Sequence, residues 1–362
     1  MVSPPEGKPS AQAGGGAVPG VDVGSRQDTL HAGRTRYDRR MDLARMLDNC
    51  HRDQWSVGDL DWSRKPREMP RADEIAIVQL FTDMSGIERL AGALFREQER
   101  RVEDPTLKAI FASFVKDEVR HSHAAQMLAD FYDVHHYKEY RQSPSLTAFA
   151  PHFVDAIRYL SDDVANAYII TGELILDIAL LRSINDFVHD EMSSAAMRLI
   201  NRDESRHIAI DYYMAEYYGS EEYERKAQAQ KERMSPGEIA RGTRAFVNVL
   251  YHGSPFIRDV FLDPMALVDP RGVRLREAFK RAQILGRKEV NARRPFAKFQ
   301  RFLQDGVNHP IMGPILGSLF GRLAGPGKDM LMRMYDDEEL ARARRMTYDE
   351  LAQEALAQKE AN

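Results

Sequence analysis

Two short stretches, Asp117-Glu118-Val119-Arg120-His121 and Asp203-Glu204-Ser205-Arg206-His207, repeat the pattern Asp-Glu-x-Arg-His, and each follows a lone glutamate about thirty residues upstream, Glu88 and Glu173. On a helix, Glu-x-x-His places a carboxylate and an imidazole on one face, one turn apart. Two further helices supplying one Glu each complete a shell of four carboxylates and two imidazoles for a two-metal site inside a helix bundle. The candidate ligands are Glu88, Glu118, His121, Glu173, Glu204 and His207.

The spacing carries geometric information. In an antiparallel hairpin, residues equally far from the turn lie at one height. The midpoint of Glu88 and Glu118 is residue 103, within Glu103-Asp104-Pro105, where a proline can start a helix but not continue one. The midpoint of Glu173 and Glu204 falls between Val188 and His189, beside the polar Asn185-Asp186 and His189-Asp190-Glu191. Each Glu then meets its partner about 22 Å from the turn at 1.5 Å per residue. Glu88 and Glu173 are 85 positions apart and Glu118 and Glu204 are 86 apart, which reads as an internal hairpin duplication. The expected fold is all-α, a four-helix bundle of two such hairpins with a helical C-terminal extension.

Apolar residues recur at helical spacing around every candidate. The stripes are Ile77, Phe81, Met84, Glu88, Ala91 and Phe95, then Leu107, Ile110, Phe111, Phe114, Glu118, His121 and Ala125, in the first hairpin. In the second they are Ile169, Ile170, Glu173, Leu176, Asp177 and Leu180, then Met197, Ile200, Glu204, His207, Asp211 and Met214. A lone Glu-x-x-His means little, since 25 Glu and 11 His give roughly one by chance. Four carboxylates facing a core are another matter: unpaired, each costs several kcal/mol, and two divalent cations supply the opposite charge. A buried salt-bridge network would need basic partners in the stripes, and Arg120 and Arg206 lie off them. With oxygen and nitrogen donors and no thiolate, the shell suits iron or manganese over structural zinc. Asp117 and Asp203 are placed to accept the second ring N–H of the histidines across the bundle, unless they are solvated surface residues. Asp177 and Asp211 read either as groups supporting the ligands or as helix-terminal ion pairs. His123 and His189 lack an inward Glu one turn away and are not taken as ligands.

From Asp73 to Tyr218 the chain resembles the non-haem di-iron carboxylate superfamily of ferritin-like fold, with every ligand position filled by the expected residue type. The run Ile200-x-x-Asp203-Glu204-x-Arg206-His207 is most similar to the second motif of soluble acyl-carrier-protein desaturases. Ile200 stands where p-aminobenzoate N-oxygenases have an extra histidine, and Ser122 where ribonucleotide reductase small subunits have their radical tyrosine. A single cysteine, Cys50, cannot build the four-cysteine domain of rubrerythrins, and ferritins are about half this length. The resemblance implies two iron ions (Fe/Mn or Mn as variants), O2 as co-substrate, and an external electron donor, a ferredoxin-like protein or a reductase. It also implies desaturation or hydroxylation of a lipid-like or acyl-carrier-protein-bound substrate. N-oxygenation or hydroxylation of a small-molecule metabolite is an alternative, as are ferroxidase-type iron handling and a bundle with purely structural metals. A homodimer is compatible with it.

The remaining sequence sets the surroundings. Residues 1–36, rich in Gly, Pro, Ala and Ser, read as a disordered tail without a signal-peptide apolar run. Residues 37–72 form a lead-in segment in which Trp55 and Trp62 pack onto the bundle, 73–220 the bundle, and 221–362 the extension. Between the second and third helices, Asp133 to Pro151 is long enough to cross from one hairpin to the other. Ser235-Pro236-Gly237-Glu238 and Thr347-Tyr348-Asp349-Glu350 read as helix starts. Arg271 to Arg301 concentrates eleven Arg and Lys, read as a solvated helix face, with docking of an acidic carrier, an acidic donor or an anionic membrane as the alternative. The apolar run Ile311 to Pro326 is too short and Gly-rich to span a bilayer and reads as a buried helix. Net charge of −4 gives no global pull towards nucleic acid, no nucleic-acid motif is present, and one cysteine fits a reducing cytoplasm. Thr171, Tyr168, Tyr212 and Tyr213 lie near the ligands in sequence.

Overall fold

The computed structural model describes residues 41–314 and 332–360, and its ordered elements are helices; no strand occurs among the described residues. The N-terminal tail to residue 40, and the apolar run from residue 315 onward, lie outside the described residues. Residues Met41–Asn362 group as one compact unit.

Four long helices carry the candidate ligands: α2 (Arg71–Arg101), α3 (Pro105–Tyr132), α5 (Asp162–Leu174) and α7 (Glu191–Tyr218). Between the last two, a π-helical segment (Ile175–Leu181) and α6 (Arg182–Val188) continue α5 without a break. Helix α2 packs along α3, α5 along α7, and contacts of α3 with α7 and α2 with α5 join the two pairs. The turns fall where the midpoints place them. Asp104 caps α3 through the amides of Thr106 and Leu107, with Pro105 in the first turn. At the other turn His189 takes a left-handed conformation at φ 51°, and the Asp190 side chain accepts the Ser193 amide to start α7.

The stretch from Asp162 to Val188 is apolar enough to cross a membrane by composition, yet 72% of its most apolar window is buried inside the protein. It is a core helix, and the π segment begins two residues after Glu173, with all seven of its residues buried.

The crossing from α3 to α5 differs from the sequence expectation. It is not an irregular strand of chain to Pro151 but holds a helix, α4 (Pro144–Tyr159), with Pro151 inside it. Leu146, Phe149, Phe153, Ala156 and Ile157 give it a buried face at helical spacing. Its start is pinned because the Ser143 amide and hydroxyl both donate to Asp83 of α2, at 2.6 Å each. Gly86 of α2 admits α4 closely: a Cβ there would sit 2.8 Å from Leu146 Cδ2. At the far end Arg101 of α2 donates to the carbonyls of Ile157 and Leu160 and pairs with Asp162 at 2.6 Å, tying the end of α4 to the start of α5.

The lead-in segment is helix α1 (Leu43–Arg52) and a 3-10 turn (Val57–Asp59), laid on α3 and α7. The extension comprises α8 (Glu221–Arg233), α9 (Pro236–Phe256), which runs into a second π segment (Ile257–Leu262), α10 (Asp263–Val268), α11 (Val273–Arg287), α12 (Pro295–Asn308), α13 (Asp337–Arg345) and α14 (Tyr348–Glu360). Both capping boxes read from sequence are formed: Ser235 with Glu238, and Thr347 with Glu350. Helix α9 packs on α4, α11 on α5 and the π segment, and α14 on α7.

The basic run from Arg271 to Arg301 is solvated only in part: Arg271, Arg276, Arg293 and Lys298 are exposed, and the rest are partly or fully buried. Arg281 is buried and pairs with Glu277 at 2.8 Å and Glu354 at 3.4 Å, while Lys280 bridges Glu277 and Glu339. Lys288 is buried against the Ala343 and Met346 carbonyls, and Arg274 reaches Ser183 and Asp186 of α6. The reading as a solvated face therefore suits those four exposed side chains and is corrected for Arg274, Lys280, Arg281 and Lys288, which tie the extension together and to α6.

Candidate metal centre

Glu88 on α2, Glu118 and His121 on α3, Glu173 on α5, and Glu204 and His207 on α7 converge, and none is more than 2% exposed. They form two overlapping groups that can each hold a metal ion: Glu88, Glu118, His121 and Glu204 in one, Glu118, Glu173, Glu204 and His207 in the other, with donor atoms in each within 4.8 Å of one another. Glu118 and Glu204 belong to both. Gly92 makes room for the first of these, since a Cβ on it would lie 3.1 Å from Glu118 Cβ.

Second-layer groups fix the imidazoles. His121 Nε2 lies 3.1 Å from Asp203 Oδ2, and His207 Nε2 lies 3.5 Å from Asp117 Oδ2, each across to the opposite hairpin. A carboxylate acceptor at Nε2 calls for the proton there and leaves the Nδ1 lone pair facing the centre. Both Nδ1 atoms come near carboxylates, His121 at 2.9 Å from Glu204, and His207 at 2.9 Å from Glu204 and 3.1 Å from Glu118. These contacts are poorly directed, and neither Nδ1 is hydrogen-bonded.

Oxygens of Glu88, Glu118, Glu173 and Glu204 likewise face inward without a hydrogen bond. Burial and then the Glu204 charge push Glu88 up to about 7 and hold Glu118 and Glu173 well above the usual carboxylate range. Glu204 goes the other way, because His207 and His121 outweigh its burial. Burial alone would lower the imidazoles, but Asp203 and Glu204 raise His121 to about 10, and Glu204 and Asp117 raise His207 to about 9. Protons are thus retained where carboxylates crowd. Unsatisfied buried donors of this type, in two groups sharing two carboxylates, fit a pair of divalent cations.

Asp117 and Asp203 are themselves fully buried, so the alternative of solvated surface residues fails. What balances them was not read from the sequence. Arg206, buried, pairs with Asp203 at 2.6 Å and Asp117 at 3.5 Å, and Arg120 bonds to Asp117 and to Asp203 at 2.9 Å. Both arginines do lie off the ligand stripe; they serve the aspartates and leave the glutamates only the two imidazoles as basic neighbours. Despite burial, the imidazole His207 holds Asp117 below the usual range, and His121 with Trp55 and Arg206 does so for Asp203.

The lead-in segment also reaches this layer. Trp55 Nε1 donates to Asp203 at 2.7 Å and its ring stacks towards His121 at 6.4 Å, while Gln54 Nε2 donates to Asp117 at 3.4 Å. Trp55 therefore packs the lead-in down, as read, and holds a polar contact the sequence did not signal. Trp62 packs edge-on to Phe131 at 6.0 Å.

Comparison with protein-family models, curated proteins and solved structures finds no match for this chain.

Neither Asp177 nor Asp211 sits at a helix end. Asp177 is buried in the π segment, and Asp211 is buried mid-way along α7 with neither oxygen hydrogen-bonded. Burial and Glu204 hold Asp211 well above the usual range against the pull of His207. Thr171 spends its hydroxyl on the Ala167 carbonyl of its own helix at 2.7 Å, and Tyr212 faces Arg281 and Glu354 of the extension. His123 and His189 are exposed. A cavity of about 630 Å³ lined by Leu60, Arg64, His189, Met192 and Arg198 lies at the α6–α7 turn, its α7 lining beginning about 9 Å along that helix from Glu204.

Proposed function

We propose that this chain is a ferritin-like, O2-activating non-haem di-iron oxidoreductase acting on an organic substrate. The observation that carries the proposal is the sharing of Glu118 and Glu204 between two donor groups, each completed by one Glu and one His. Glu88 and His121 would help hold one ion and Glu173 and His207 the other, with Glu118 and Glu204 available to both. An iron pair so held supplies the redox chemistry that lets O2 react with an unactivated bond, with electrons from an external donor.

The side chains around it do work that suits such a reaction. Phe95 and Phe114 press on His207 at 5.0 and 4.1 Å between ring centres, closing the imidazole side to water. Asp117 and Asp203 hold the imidazoles in one tautomer and orientation, and Arg120 and Arg206 bond to the same aspartates.

For the substrate, the desaturase-like second motif supports a lipid-like or carrier-bound chain, and the length beyond the ligand-bearing helices supports an organic substrate over iron handling alone. The test is metal content per chain, followed by anaerobic Fe(II) loading, admission of O2 under a spectrophotometer, and turnover assays on acyl-carrier and amine substrates with a reductase. Two irons, O2 consumption and an oxidised organic product are expected. Fewer than two metals overturns the centre; two irons oxidised with no organic product in either panel replaces the oxygenase reading with ferroxidase-type iron handling.

A further inference from the structure

Helix α9 has two apolar faces. Ala245, Val249 and Phe256 are spent on α4, where Phe149 and Phe256 stack at 4.4 Å. On its other side Ile239, Val247, Leu250 and Tyr251 point outward, and Phe246 meets Phe299 of α12 edge-on at 6.1 Å. From there the apolar surface continues to Phe302, 70% exposed. Folding gains nothing from leaving so many large apolar side chains in water, and a contiguous outward face of this kind marks a binding surface.

Charge selects the occupant. The protein as a whole is net negative, at −4. Exposed cations border this face: Arg244 on α9, Arg293 before α12 and Lys298 on it. Of the acids on these segments, Glu238 closes the capping box of α9 and Asp305 pairs with Arg287 at 2.6 Å. A second copy seated symmetrically on this face would bring like charges together. An anionic lipid surface matches both the cations and the apolar side chains between them.

We propose that the outer face of α9 and α12 seats the protein on an anionic membrane surface, with Leu250, Tyr251 and Phe302 entering the headgroup layer and Arg244 and Lys298 contacting lipid phosphates. The inference does not rest on the metal centre, so each can fail alone. The experiment is flotation of the full chain with vesicles of phosphatidylcholine alone or mixed equally with phosphatidylglycerol. Expected are binding to the mixed vesicles, loss of binding in high salt, and at least roughly tenfold weaker partition for Leu250→Ser/Tyr251→Ser/Phe302→Ser. Arg244→Glu/Lys298→Glu, which leaves the apolar face intact, weakens binding to the mixed vesicles alone. Metal content and circular dichroism confirm that the variants fold. No binding to mixed vesicles, equal binding to both kinds, or a triple variant that binds like the parent overturns the proposal. A concentration-dependent dimer in light scattering that the triple variant abolishes also overturns it and assigns the face to a second copy.

Discussion

Glu118 and Glu204 carry more of the centre than the other ligands because each belongs to both donor groups. Replacing either by Ala removes a ligand from two sites at once, and metal content is expected to fall from two per chain to near zero. Glu88→Ala or Glu173→Ala strips one group only, and a chain retaining about one metal is expected from either, measured by elemental analysis after dialysis. Equal loss from all four variants would contradict the sharing. The aspartates behind the imidazoles act more gently. Asp203→Asn keeps the shape beside His121 but removes the charge that fixes its tautomer, and it unbalances Arg120 and Arg206. Metal affinity is expected to drop roughly 10- to 100-fold in a chelator competition, with folding retained.

At the scale of the helix, the approach of α2 to α3 sets how far apart the two halves of the first hairpin hold their ligands. Gly92 is the point of closest approach to Glu118, and Gly92→Ala forces Glu118 to yield by a few tenths of an ångström. Helix propensity alone would favour Ala by about 1 kcal/mol, so a stability gain with weakened metal binding is the expected pair of outcomes, read by thermal melts and metal titration. A variant with unchanged metal affinity would show that Glu118 relaxes freely. The same hairpin shows why its turns were legible: Asp104 and Pro105 announce a helix start in one dimension, and equal distance from a turn is a property of helices alone. Helix α4 was not legible because its apolar face is diluted by Pro144, Pro151, Ser145 and Thr147, and what fixes it is Asp83 on another helix. The π segment after Glu173 left no trace either, since a run such as Ile175–Leu181 is buried on every side whatever its pitch.

Across the whole molecule, sequence separation was the limit. All six inward residues were readable because each lies within its own helix pattern, whereas Gln54 and Trp55 meet Asp117 and Asp203 over 63 and 148 positions. Those two contacts make the lead-in segment a clasp over the aspartate layer, and Cys50 reports on it. The thiol sits on the buried side of α1, and burial, aided by Asp117 and opposed by Arg206, pushes it up to about 11. Its ionisation therefore favours unfolding: the stability it preserves is complete below the ordinary thiol range, near 8.5, and is lost as pH climbs towards 11. At pH 8 the native thiol is protonated and inaccessible, so alkylation proceeds only through opening of the segment. Trp55→Ala removes the bond to Asp203 and the stack on His121, and it is expected to speed iodoacetamide labelling of Cys50 several-fold more than it shifts global unfolding in urea. Labelling that follows global stability alone would mean that the lead-in segment opens only when the ligand-bearing helices do.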